Sequence, residues 1–397
     1  MRSVLFLAYK YIVHNYTKTI ILTICLVLTT IVPLAAYFII ENYQNDLKKR
    51  AKQVTLIAGK RGNDYDILLR SLYYKGSYPG SLSMKNLEDM KHVGKVIPMY
   101  LPFTGHKLYT NNEQNAYYDN IPIIGTHLDY FSLRKISLQQ GRLPSILGEA
   151  VVGASTAQDM NIQVGDFVLS DQKNLYDISA SYPLKMKVVG ILRPNYSADD
   201  NAIFVDIKTT WIIQGIFHGH DNITKNTQQK NVVISKAKIY EYPQVTLDNL
   251  DMFHHHGKAE ELPITTILII ARDHKSKTIL LGDYQGNENI TLIQPLKVID
   301  RLMSLILRVH AFFKAYFILV ITTVSLFLVL IIMLSIRIRT QEFQTLSKMG
   351  CSYKMLRGII LMEFILVFVI SIALSTTCVF IFQWLVPPQY LLQLFTG

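Results

Sequence analysis

Uncharged apolar residues run from Thr19 to Ile40, from Ala315 to Ile336 and from Gly358 to Val386, the last interrupted only by Glu363. Each run approaches or exceeds the roughly 20 residues a helix needs to cross the hydrocarbon of a bilayer. The pattern predicts three transmembrane helices. The first run is longer than the apolar core of a cleaved signal peptide, and no clean A-x-A site follows it, so it reads as an uncleaved anchor. Ahead of it, Val4, Leu5, Ala8, Ile12 and Val13 recur at helical spacing while Arg2, Lys10 and Lys18 stay polar. That is either a short amphipathic helix on the membrane or a basic flank of the first span.

Residues 41–314 are patterned on a shorter scale. Glu41–Gln53 is charged and free of Gly and Pro, which predicts that the first helix continues out of the membrane as a stalk. From Lys297 to Lys314, Asp300, Arg301, Ser304 and Arg308 leave a wide apolar face of Val298, Leu302, Leu305, Ile306, Val309 and Phe313. This second amphipathic stalk feeds into the second span. Between the stalks, short β-branched runs begin at Ala150, Asp166, Met186 and Ile264 and are bounded by turn residues. Ser155–Met160 and Lys275–Leu281 read as short helices, and Asn195–Asn201 and Phe217–Asn231 as polar breaks. The fold class is an α-helical membrane protein with a large α+β extracytoplasmic domain inserted between the first and second transmembrane helices. Two lobes dividing near residues 205–235 are expected.

Charge sets the orientation. Only 17% of the 397 residues are charged, below the roughly 25% of soluble domains. The net charge is +11, but the basic clusters lie beside the spans, where they answer to lipid phosphates rather than to nucleic acid. The loop after the second span carries Arg337, Arg339, Lys348, Lys354 and Arg357 against Glu342 alone, which makes it cytoplasmic. The layout follows: 1–18 a cytoplasmic amphipathic segment, 19–40 the first span, 41–314 the outer domain with its stalks, and 315–336 the second span. Residues 337–357 form a cytoplasmic loop, 358–386 the third span, and 387–397 an extracytoplasmic tail.

Candidate chemistry is sparse. There is no G-x-x-x-x-G-K-[ST] phosphate loop, no H-E-x-x-H and no G-x-S-x-G. Hence no ATP site and no catalytic residue is expected in this chain. Cys25, Cys351 and Cys378 lie outside the large domain, which is therefore not held by disulfides. Five of the eleven histidines fall in two short segments, His218-Gly-His220-Asp221 and His254-His255-His256. Imidazoles with a nearby carboxylate suit Zn²⁺; solvated loop residues are the plainer reading. Glu363 can snorkel to the interface, pair with Arg357 or face the helix bundle in a structural role.

The loop at 337–357 is the most informative stretch. Phe343, Leu346 and Gly350 recur at helical spacing, Gly350 suits a C-cap and Ser352 an N-cap. It resembles the cytoplasmic loop of the FtsX/MacB-like permease family, whose R-x-x-E-x-x-x-L-x-x-x-G pattern is matched by Arg339, Glu342, Leu346 and Gly350. Farther upstream, Ile124-Gly-Thr-His-Leu-Asp-Tyr-Phe, Gly141-Arg142, Glu149-Ala-Val-Val-Gly, Ile162-Gln-Val-Gly-Asp and Val188-Val-Gly-Ile-Leu are similar to that family's periplasmic core domain.

The resemblance implies a permease subunit of an ABC complex in a bacterial inner membrane, non-catalytic itself, whose motion is driven by a separate ATPase. It places the ATPase contact on Arg339, Glu342, Phe343, Leu346 and Gly350. It also implies paired permeases, as a homodimer or with a related chain, and mechanotransmission for export or extraction of a lipoprotein, peptide or small molecule. A periplasmic adaptor or lipoprotein is a further partner. The segment around Ala202–Asp221 is similar to a subgroup carrying His-Gly-His, associated with metal handling. Two alternatives stay open: a zinc-uptake component with an outer histidine site, and a membrane scaffold or regulator of a cell-wall hydrolase. The family's fourth span is not found after Pro387-Pro388, so either this member has lost it or the sequence stops short of it.

Overall fold

The computed structural model describes residues 2–102, 106–110, 117–170, 184–219, 244–246, 249–250 and 253–385. Its helices are α1 (Arg2–His14), α2 (Tyr16–Lys52), α3 (Asp64–Tyr73), α4 (Met84–Met90), α5 (Asp129–Arg134), α6 (Ala154–Asp159), α7 (Ile207–Ile213), α8 (His274–Asp283), α9 (Pro295–Ile338), α10 (Thr340–Lys348) and α11 (Tyr353–Leu385). Two compact units result: residues 1–47 with 301–397, and residues 48–300. Residues of α2 and of α9 are shared between the two units.

Among the described residues, three helical stretches are long and apolar enough to cross a membrane: Tyr16–Lys52, Ala315–Ile338 and Lys354–Ile381. Leu22 and Leu26 of α2 bury against Val367 of α11, with Ile12, Val324, Ile331 and Phe364 around them. Small hydroxyl residues allow the close approach that membrane helices favour. Ser371 and Ser375 are buried, and the Ser375 and Thr30 hydroxyls bond at 2.6 Å. On α1, Ala8 is buried while Leu5, Phe6 and Tyr9 are exposed.

In the second unit the strands are β1 (Leu56–Lys60), β2 (Leu82–Ser83), β3 (Gly94–Tyr100), β4 (His106–Thr110), β5 (Tyr117–Ile121), β6 (Ile123–Thr126), β7 (Leu138–Gly141) and β8 (Glu149–Val152). They continue as β9 (Phe167–Leu169), β10 (Lys185–Leu192), β11 (Ile203–Asp206), β12 (His218–Gly219), β13 (Phe253–His254), β14 (Pro263–Ile264), β15 (Thr266–Ala271) and β16 (Ile290–Ile293). Twelve of them form one sheet in the order β16-β1-β15-β3-β6-β11-β8-β10-β9-β4-β5, with β7 also on β10. The pairs β6–β11 and β8–β10 are parallel; the others are antiparallel. This is a large α+β domain.

The expected division into two lobes near 205–235 is not what forms. Strand β15, from beyond that segment, pairs with both β1 and β3 from before it, and β16 pairs with β1. The two halves of the chain thus complete a single sheet. Its central strands are covered by helices, so they read as near-continuous apolar runs rather than alternations. All of Ala150, Val151 and Val152 on β8, and Ile203 and Phe204 on β11, are fully buried. Three of the short motifs that carry the family resemblance, those starting at Ile124, Glu149 and Val188, begin on β6, β8 and β10.

Candidate coupling site

The last turn of α2 carries Lys49, Arg50 and Lys52, where cations complement the helix dipole. Arg50 alone turns inward and is buried. Its Nη1 and Nη2 donate to the two Asp199 carboxylate oxygens at 2.7 and 2.8 Å, a bidentate pair. Its Nη2 also reaches the Tyr74 and Tyr130 hydroxyls at 3.0 and 3.2 Å, and its Nε donates to the Leu72 carbonyl. Asp199 further accepts from Ser197 Oγ at 3.0 Å, from Tyr130 at 2.8 Å and from the Tyr74 hydroxyl. Arg134 of α5 closes the cluster, donating to the Arg50 carbonyl at 3.0 Å and to Gln53 at 2.7 Å.

Local backbone chemistry sets each member. Tyr74 caps α3 in the left-handed region at φ 61°, a conformation unusual for a bulky residue, and is held there with its ring edge-on to Phe204. The Tyr130 ring stacks on the same phenylalanine. Asp199 sits in a 3₁₀ turn, Ala198–Asn201, opened by a Ser197 capping box with Asp200. That turn rests directly on Gly153, the last residue of the Glu149-Ala-Val-Val-Gly motif. A Cβ there would lie 2.4 Å from the carbonyl oxygens of Asp199 and Asp200. Nearby, Glu149 of the same motif accepts from Arg142 Nη1 at 2.7 Å and from the Ser145 and Ile146 amides.

Burial opposes charge on Asp199 most strongly. The Arg50 guanidinium, its two hydrogen bonds, Arg134 and the Tyr74 hydroxyl outweigh that penalty and hold the carboxyl well below the usual carboxylate range. Burial first, and then the Asp199 charge, push the Tyr74 and Tyr130 phenols upward. The cluster is therefore a fixed ion pair wrapped in neutral phenols, inside the second unit, to which residues 48–52 at the end of α2 themselves belong. Beside it, Lys48 pairs with Asp300 of α9 at 3.0 Å.

The residues of the 337–357 loop occupy α10 and its flanks. Gly350 follows the helix in the left-handed region at φ 97°, the residue type that position favours. The Ser352 hydroxyl accepts from the Met355 amide at the start of α11. Leu346 is half-buried, and the neighbouring Ile338 and Met349 are exposed; Glu342 and Phe343 lie on α10 itself. Arg339 does not face outward. It is buried, donates to Glu363 Oε2 at 3.0 Å and stacks over Tyr11. Lys18 approaches the other Glu363 oxygen at 3.7 Å. The partner of Glu363 is thus Arg339, with Lys18, rather than Arg357, and Arg339 ties the loop to the third long helix.

The two histidine segments meet as strands, β12 with β13, in a register that sets His218 opposite His254 and Gly219 opposite Phe253. His255 lies apart from its neighbours, stacked on Phe217 at 4.9 Å with its buried Nε2 unpartnered. His220 and Asp221 lie outside the described residues. Among the described residues no three His, Cys, Asp or Glu side chains converge as a metal site.

Residues 24–238 match the MacB-like periplasmic core domain family, and residues 314–396 match the FtsX-like permease C-terminal family. No curated protein matches the sequence. Among solved structures, the chain is similar to the periplasmic region of MacB from Actinobacillus actinomycetemcomitans, at 12% identity and a TM-score of 0.37, over 65% of this chain and 98% of that one. It is also similar to the extracellular domain of the noncanonical ABC-type transporter YknZ from Gram-positive bacteria, at 12% identity and a TM-score of 0.33, over 60% and 98%. The first family match alone spans more than half of the residues, and the second takes in the end of α9, all of α10 and α11. The chain therefore belongs to the FtsX/MacB-like ABC transporter permeases.

Proposed function

We propose that this permease transmits the motion of a partner ATPase through its long helices to the outer domain, rather than passing substrate through its own helices. The observation that carries the reading is the Arg50–Asp199 cluster: within the α+β unit, a buried, bidentate ion pair holds the last turn of α2, whose earlier stretch is long and apolar enough to cross a membrane. A flexible tether would need no such joint. In this reading α10 is the ATPase contact, through Glu342, Phe343 and Leu346 with Gly350 ending the helix, while Arg339 braces α10 against Glu363. ATP hydrolysis belongs to the partner. Two permeases work as a pair, the outer domain and the chain's end face away from the cytoplasm, and the cargo is a lipoprotein, peptide or small molecule exported or extracted from the membrane.

The test is co-purification. Replacing Phe343 and Leu346 together with Asp abolishes recovery of the ATPase that accompanies the wild-type chain, while the permease still inserts into membranes. Recovery at wild-type stoichiometry overturns the assignment of α10.

A further inference from the structure

The first unit holds a crevice of about 630 Å³ lined by α2 and α9, within the roughly 300–1,000 Å³ range of small-molecule sites. One face of each helix forms it. On α9 the wall is Phe327, Ile331, Leu334 and Ile338, and on α2 it is Lys18, Leu22 and Cys25. Steps of three and four return to the same side of a helix. The α9 wall is apolar throughout and about 16 Å long, which is close to half of the roughly 30 Å hydrocarbon core of a bilayer. Its polar residues gather at one end. Tyr11, Asn15 and Lys18 lie before or at the start of α2, and Arg339 directly follows α9.

Among the described lining residues both charged side chains are cations, and none is Asp or Glu. Glu363 touches them from outside the lining, at 3.0 Å from Arg339 and 3.7 Å from Lys18. A lysine's three and an arginine's five N–H donors exceed the roughly four sites of one carboxylate, so an entering anion can be bound with the Glu363 contacts kept. The occupant that matches carries a negative head at this end and an apolar chain along α9. We propose that the crevice binds an anionic phospholipid of the leaflet on the α10 side, its phosphate beside Lys18 and Arg339 and an acyl chain against Phe327, Ile331 and Leu334. Basic pockets between membrane helices are the usual receptors for such headgroups. An apolar segment of another chain would leave the cationic end unanswered, and free phosphate would leave the apolar wall unfilled. The inference concerns α2 and α9 alone and is independent of the coupling mechanism proposed above.

Cys25 lines the crevice and is exposed, so it reports occupancy. The full chain carrying Cys351→Ser and Cys378→Ser is purified in detergent and stripped of lipid. Cys25 is then alkylated with a maleimide in the presence of phosphatidylglycerol, phosphatidylcholine or inorganic phosphate. Phosphatidylglycerol should protect at a concentration roughly tenfold or more below that of phosphatidylcholine, and phosphate should not protect. Lys18→Gln should narrow the gap between the two lipids about fivefold, Lys18→Arg should keep it, and melting midpoints verify that both variants are folded. The wild-type comparison decides by itself: equal protection by the two lipids, or protection by phosphate alone, overturns the site. So does an unaltered gap in folded Lys18→Gln. Oxidative cross-linking of Cys25 to Cys25 that no lipid suppresses assigns the crevice to a second copy of this chain and equally overturns it.

Discussion

Replacing Asp199 with Asn tests the joint at the end of α2 with almost no change of shape. Asp199 accepts two hydrogen bonds from Arg50 and others from Tyr74, Tyr130 and Ser197. An amide keeps one acceptor oxygen and turns an NH₂ group toward at least one of those donors. Arg50, itself buried, then stands without its counter-charge. Removing one partner of such a pair costs about 3–5 kcal/mol. In a unit of this size 1 kcal/mol corresponds to roughly 2–4 °C, so the melting midpoint of the full chain in detergent should fall by roughly 6–20 °C. The double replacement Arg50→Met with Asp199→Leu removes both charges and should recover most of the loss.

The same variant has a pH signature. Asp199 is held below its unfolded value of about 3.9. Its contribution to stability is therefore complete above about pH 4 and is lost as pH falls from there through the folded value. The acid limb of the stability profile should be shallower in Asp199→Asn than in the wild type. A single variant that melts within about 1 °C of the wild type, or an unaltered acid limb, refutes the account of Asp199 as a buried, charged clamp.

Two further tests address the membrane unit. Glu363→Gln leaves buried Arg339 without its carboxylate partner and should lower the melting midpoint by several degrees, with Arg339→Gln/Glu363→Gln restoring much of it; equal midpoints for the single variant and the wild type would dismiss the pair as a brace. Single cysteines introduced at Lys173 and Phe395 in a chain lacking its native ones should both react with an impermeant maleimide from the outer face. Reaction of position 395 only from the cytoplasmic side would overturn the three-span orientation.

The long helices were legible because an uninterrupted apolar run of that length has few other solutions in water or lipid. Helix α10 was legible from the spacing of Phe343 and Leu346 and from Gly350, whose left-handed backbone is the reason that residue type stands there. Strand β10 likewise announced itself as Met186–Leu192. The joint was hidden for a different reason. Arg50 reads as one more member of a basic flank, and its partner lies 149 positions away in what reads as a polar break. No local pattern encodes a pairing over that distance. Arg339 was hidden by its own motif: an arginine in a basic loop looks solvent-facing until Glu363 and Tyr11 are brought to it. The stacking of His255 on Phe217 is likewise not revealed by the clustering of histidines alone. The single sheet was also illegible, since the polar stretch near 205–235 looks like a boundary until β15 is seen between β1 and β3.

That threading of β15 constrains how the protein is made. Strand β1 is hydrogen-bonded on one edge by β15 and on the other by β16, so neither edge has its partner until residues 266–293 have been synthesised. At the usual 5–20 residues per second, the chain from β1 to β15 takes on the order of 10–40 s to emerge. Throughout that interval the apolar strand Leu56–Lys60 is exposed on both edges, the condition in which strands pair with the wrong neighbour. Folding of the α+β domain thus cannot keep pace with its synthesis, and its closing step belongs to the last stretch of chain before α9.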